Sequence, residues 1–103
     1  MRILIVEPLK QPYSKDICGN LKEMQAIVGG YIQAIYPFDD PIALVCNDEG
    51  KLIGLPQNRL LCDRSGRVHD MICGTFFLAG LGEEDFISLT DEEVERYSRY
   101  FTI

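Results

Sequence analysis

The chain has 103 residues, 47% of them hydrophobic and 25% charged, a balance that fits one soluble globular domain over residues 1–103 and excludes a disordered chain. Its formal charge is −6. The acidity is local: Glu83, Glu84, Asp85, Asp91, Glu92, Glu93 and Glu95 fall between positions 83 and 95 with no Lys or Arg, and the remainder sums to +1. Phosphate neutralisation needs clustered bases, so direct nucleic-acid binding is not expected.

In chain order, residues 2–7 read as a strand closed by Glu7-Pro8, and Asp16-Ile17-Cys18 as a short second strand. The opening apolar run is too short for a signal peptide, and no stretch reaches the length that spans a bilayer, so the expected location is cytoplasmic, away from membranes. Asn20 is a good N-cap, with Glu23 three positions on, for a helix whose Leu21, Met24, Ile27 and Val28 share a face. Gly29-Gly30 ends it. Tyr31–Tyr36 reads as a strand stopped by Pro37, where the preceding aromatic residue favours a cis bond modestly. Phe38-Asp39-Asp40-Pro41 is a turn, with the adjacent carboxylates bonding backbone. Ile42–Cys46 is a continuous apolar run suited to a strand covered on both faces.

Asn47-Asp48-Glu49-Gly50 is read as a hairpin turn from which Lys51–Ile53 returns as a strand. A second hairpin turn, Asp63-Arg64-Ser65-Gly66, joins Leu60–Cys62 to Val68–Ile72, and Thr75–Ala79 is a further strand. At the end of the chain Thr90 and Glu93 form a capping box, and Leu89 and Val94 a hydrophobic staple. Asp91, Glu92 and Glu93 lie at that helix's positive end, with Arg96 and Arg99 toward its negative end. Val94, Tyr97, Tyr100 and Phe101 make its buried stripe. The fold expected is α+β: one small domain, mainly antiparallel sheet of about six short strands, with one helix after strand 2 and one at the C-terminal end. Sheet edges left over make a homo-oligomer an open option.

Site chemistry is sparse. Cys18, Cys46, Cys62 and Cys73 contain no C-x-x-C pair, and His69 is the single histidine, so no metal and no cofactor is expected. No catalytic residue is singled out, although a Cys/His nucleophilic pair is formally available. Gly80-Leu81-Gly82 runs into acids that would repel a phosphate. Asn58 and Arg59, flanked by Leu55, Leu60 and Leu61, are harder to place. Arg59 must snorkel along the sheet or pair with an acid from elsewhere. Alternatively, with Arg64 and Arg67 it forms a basic patch for a small anionic ligand or a partner.

The order Met24-Gln25-Ala26-Ile27-Val28-Gly29-Gly30, Tyr36-Pro37-Phe38-Asp39-Asp40, Asn47 to Gly50, Gly54-Leu55-Pro56-Gln57-Asn58-Arg59 and Gly74-Thr75-Phe76-Phe77 resembles a family of small proteins of unknown function carried by bacteria, phages and conjugative elements. The resemblance covers almost the whole chain. It implies an accessory protein with a counter-defence role and supplies no catalytic residue. Three functions are carried forward. The first is a non-enzymatic binding protein acting on a host protein, with Glu83, Glu84 and Asp85 meeting a basic surface as a DNA mimic would. The second is a module that binds or sequesters a nucleotide-like signal, and the third a Cys- or His-dependent hydrolase.

Overall fold

Three strands built on apolar runs, Ile3–Val6, Ile42–Cys46 and Phe76–Leu81, form the middle of the molecule. In the computed structural model, which describes Met1–Ile103, they are β1 (Arg2–Val6), β4 (Ile42–Asn47) and β7 (Phe76–Leu81). Nearly every residue in them is buried, because both faces of the sheet they share are covered. Around them lie β2 (Tyr13–Asp16), α1 (Leu21–Val28), β3 (Ile32–Ile35), β5 (Gln57–Cys62), β6 (Val68–Cys73), β8 (Phe86–Ile87) and α2 (Asp91–Tyr100). The main sheet is antiparallel in the order β2-β1-β7-β4-β3, with β8 added to β7; β5 and β6 make a separate ribbon. The expected α+β architecture, with one helix after the second strand and one near the end of the chain, is the one found. No helix is long and apolar enough to cross a membrane.

Period-2 alternation divides the side chains of the central strands between two cores. Ile3, Ile5, Ala43, Val45, Phe77 and Ala79 face α1, where they meet Met24 and Val28. Leu4, Val6, Ile42, Leu44, Phe76 and Leu78 face the other way, against Leu61 and Ile72 of the ribbon and Tyr97 and Phe101 of the α2 end. The molecule is thus α1, then sheet, then a mixed layer of ribbon and α2.

Both helices start where their caps were read. Asn20 accepts from the Glu23 N–H at 2.8 Å, while the Glu23 carboxylate accepts from Gly19. Thr90 and Glu93 form the full capping box. Gly29, at φ 79°, closes α1 in the left-handed conformation that glycine tolerates. Of the expected α2 stripe, Tyr97 and Phe101 are buried, whereas Tyr100 is 47% exposed.

Several boundaries differ from expectation. The second strand lies at Tyr13–Asp16, upstream of Asp16-Ile17-Cys18, because Ile17 closes that ladder by bonding the chain start: its N–H donates to the Met1 carbonyl. Lys51–Ile53 does not return as a strand. Ile53 N–H donates to Glu49 O and Leu55 N–H to Gly50 O, so the segment coils and carries the chain from the sheet to the ribbon. Gly50 sits at the tightest point, where an added Cβ would lie 2.7 Å from the Cys73 carbonyl oxygen. Consequently β4 pairs with β3 and β7, and β5 begins as early as Gln57. The bond before Pro37 is trans, as are all the others.

Candidate functional site

Asn58 and Arg59 sit at the start of β5, where the ribbon crosses the end of the main sheet. Asn58 uses both amide hydrogens internally, on Val6 O at 2.8 Å and Gly74 O at 2.9 Å. Its Oδ1 accepts from Arg59 at 2.8 Å. Arg59 is buried, and its other donors reach Phe101 O at 2.9 Å and Lys10 O at 2.7 Å. Neither expectation for this side chain holds, because it neither snorkels to solvent nor pairs with an acid. Backbone carbonyls from the end of α2 and from the loop after β1 satisfy it, and burial pulls its pKa down from the usual guanidinium range. The three arginines of the expected basic patch, Arg59, Arg64 and Arg67, do not converge. Arg64 extends from the β5–β6 turn to pair with Asp39. Arg67 is exposed in the same turn, with no side-chain bond to an acid.

What does converge lies beside that turn. The β3–β4 loop, the β5–β6 turn and α2 enclose a cleft of about 840 Å³ lined by Pro37, Phe38, Asp39, Asp40, Cys62, Asp63, Arg64, Arg96, Tyr97, Arg99 and Tyr100. Its floor is aromatic. Phe38 packs on Tyr97 at 4.7 Å between ring centroids and edge-on to Tyr100 at 5.9 Å, and Tyr100 meets Phe101 at 4.7 Å. The Tyr97 hydroxyl donates to Asp40 at 2.8 Å, and Arg96 donates to the same oxygen. That Tyr97 bond, reinforced by Arg96, holds the Asp40 carboxyl below its ordinary range, while burial first and the Asp40 carboxylate second push the Tyr97 hydroxyl far above its own. Arg99 pairs with Glu95 along the helix at 2.8 Å.

This grouping is not visible in sequence order. Arg96 and Arg99 read as charges at a helix end, and Phe38 as a turn residue. The carboxylates of Asp39 and Asp40 facing the arginines of α2 and of the β5–β6 turn are the one signal that could have joined them.

The acids divide in two, with Glu92 exposed and unpaired on α2 beside both groups. Asp91 pairs with Arg2, Glu93 completes the capping box and Glu95 holds Arg99. Glu83, Glu84 and Asp85, in the turn between β7 and β8, have no ion-pair partner and are exposed. They rim a second cleft, of about 690 Å³, with Met1, Cys18, Met24, Tyr36 and Phe86. Tyr36 also lines a small cleft of about 310 Å³ together with Phe38 and Tyr100. A band of surface therefore runs from the acidic turn over Tyr36 to the aromatic and arginine cleft.

Cys62, His69 and Asp63 line that small cleft as well. No hydrogen bond joins Cys62 to His69, and the Asp63 carboxylate is already engaged by the Ser65 N–H, the Ser65 hydroxyl and the Arg67 N–H. A further cavity of about 410 Å³, lined by Gln33, Cys46, Lys51, Asp70 and Cys73 among others, opens between the sheet and the ribbon. Burial raises the pKa of the Cys46 thiol there. No three His, Cys, Asp or Glu side chains come together as a metal site would require.

No curated protein and no solved structure matches the chain. Residues 1–102 match the family described as a domain of unknown function (DUF3846), and the chain belongs to that family.

Proposed function

We propose that this is a non-enzymatic binding protein, an accessory protein of a phage or mobile element that acts on a host protein in the cytoplasm in a counter-defence role. The genetic setting comes from the sequence resemblance; the mode of action comes from the surface. The observation that carries the reading is the band joining the unpaired acids Glu83, Glu84 and Asp85, through Tyr36, to a cleft walled by Phe38, Tyr100, Arg64, Arg96 and Arg99. Tyr and Arg dominate the energetics of protein interfaces, since each combines large contact area with directional polar contact. The unpaired acids complement a basic patch on the partner, as a DNA mimic would, and give long-range steering.

The test is co-purification of host proteins with the tagged wild type, with a Tyr100→Ala/Arg64→Glu variant and with a Glu83→Lys/Glu84→Lys/Asp85→Lys variant. A partner retained by the wild type and lost from both supports the reading. Identical partner lists for all three overturn it.

A second reading is a binding module for a small anionic ligand such as a nucleotide-like signal. The same cleft supports it, because Arg64, Arg96 and Arg99 line it beside Phe38 and Tyr100 in a volume typical of ligand sites. Here Arg64 makes the ligand contact, while Asn58 and Arg59 brace the hairpin that carries it. Native mass spectrometry of protein from stressed cells would show an added mass that Arg64→Ala and Arg99→Ala remove. The hydrolase reading ranks last, resting on Cys62 and His69 alone. Full activity after alkylation of Cys62 would end it.

A further inference from the structure

β3 is the outer strand of the main sheet and is hydrogen-bonded on one side, to β4. The Asp48 N–H donates to Tyr31 O at 2.9 Å, and the ladder then runs from Ile32↔Asn47 to Ile35↔Leu44. Alternation in an antiparallel ladder therefore turns the backbone groups of Tyr31, Gln33 and Ile35 toward β4 and those of Ile32, Ala34 and Tyr36 outward. No backbone hydrogen bond in the chain uses these outward groups.

The other edges are guarded. β2 carries Lys15 and Asp16. The β5–β6 ribbon has two register irregularities, and β8 is two residues long. From Tyr31 to Tyr36, by contrast, the chain reads Tyr-Ile-Gln-Ala-Ile-Tyr, with no charge, Pro or Gly, and its two tyrosines are 73% and 62% exposed. An open, uncharged edge of this kind is a template for another strand.

We propose that the strand is a second copy of this chain, with β3 pairing antiparallel to its twin about a two-fold axis at Ala34. Outward residues must face outward residues, which limits the registers available. The one centred on Ala34 gives all three outward residues a partner: Ala34 faces its twin, and Ile32 faces Tyr36 on either side. Registers centred on Gln33 or Ile35 leave one of the three outside. The Ala34 methyl groups offer no obstruction at the axis, and Ile32 with Tyr36 is an aromatic and β-branched pair of the kind that stabilises sheets. Pro37 is no hindrance, because its missing N–H belongs to the side that faces β4. The twin is favoured over a foreign strand because this segment satisfies itself completely in one register. Five residues a side make a small contact, so association is concentration-dependent.

The test is a cysteine scan in a Cys18→Ser/Cys62→Ser/Cys73→Ser background, oxidised with diamide. Facing residues of a hydrogen-bonded pair lie about 5.5 Å apart at Cα, within disulfide range. Ala34→Cys is expected to form covalent dimer at least tenfold faster than Gln33→Cys or Ile35→Cys. Ala34→Pro removes an outward N–H and leaves the β4 ladder intact, so it should keep the circular dichroism spectrum and stay monomeric where the wild type sediments increasingly as dimer. Equal cross-linking at the three positions, or a dimer that survives Ala34→Pro, overturns the proposal. A wild type that stays monomeric to millimolar concentration also overturns it and leaves the edge to an extended segment of a different protein.

Discussion

At Arg59 a cation is buried with no acid beside it. Its planar fork instead reaches carbonyls 42 and 49 residues away, at Phe101 and Lys10. Hydrogen bonds to a charged donor are worth about 1.5–3 kcal/mol each, and a lost partner leaves buried carbonyls without a donor. Arg59→Ala should therefore lower unfolding free energy by about 3 kcal/mol in urea titration, and Arg59→Lys by nearly as much, since one ammonium cannot span the fork. The isolation of Asn58-Arg59 was legible in the sequence; its partners were not, because carbonyls carry no residue signature and only the tertiary fold brings them near. Asp40 makes a second residue-scale prediction. Its folded pKa lies below the unfolded value, so its contribution is full above about pH 4 and fades as pH falls through the folded value. Asp63 and Asp70 are lowered too, by the Ser65 hydroxyl and by Lys51 respectively. The urea midpoint should drop between pH 5 and pH 2, and Asp40→Asn should show a shallower drop than the wild type.

Elements were legible where the signal was local. The N-caps at Asn20 and Thr90, the glycine that closes α1, and the apolar runs of β4 and β7 each carry their instruction within a few residues. Lys51–Ile53 shows the opposite case. A turn signal at Asn47–Gly50 fits a hairpin, yet the Asn47 side chain donates to Val28 O and accepts from the Glu49 N–H, which bends the chain away from β4. The candidate cleft was hidden for a related reason: three elements distant in sequence supply its walls, and none looks unusual alone. Gly50→Ala places a methyl group against the Cys73 carbonyl, so the turn must shift. We expect a loss of about 2 kcal/mol in thermal or urea unfolding, with the helical circular dichroism signal unchanged.

For the whole molecule the order β2-β1-β7-β4-β3 means that β7, late in the chain, lies between two strands from its first half. Until β7 arrives, β1 with β2 and β4 with β3 are two separate hairpins, and neither can form a two-sided core. Folding must close loops of more than thirty residues before either core gains its central layer, which places it in the slow, non-local regime of milliseconds to seconds. In stopped-flow refolding, Phe77→Ala in β7 should slow the folding limb by roughly tenfold or more, whereas Tyr100→Ala in α2 should leave that limb almost unchanged. During synthesis the same order leaves a nascent chain with two sticky half-sheets waiting for their shared middle strand. The interval before β7 inserts is then the period in which a chaperone, or another nascent copy, has most to bind.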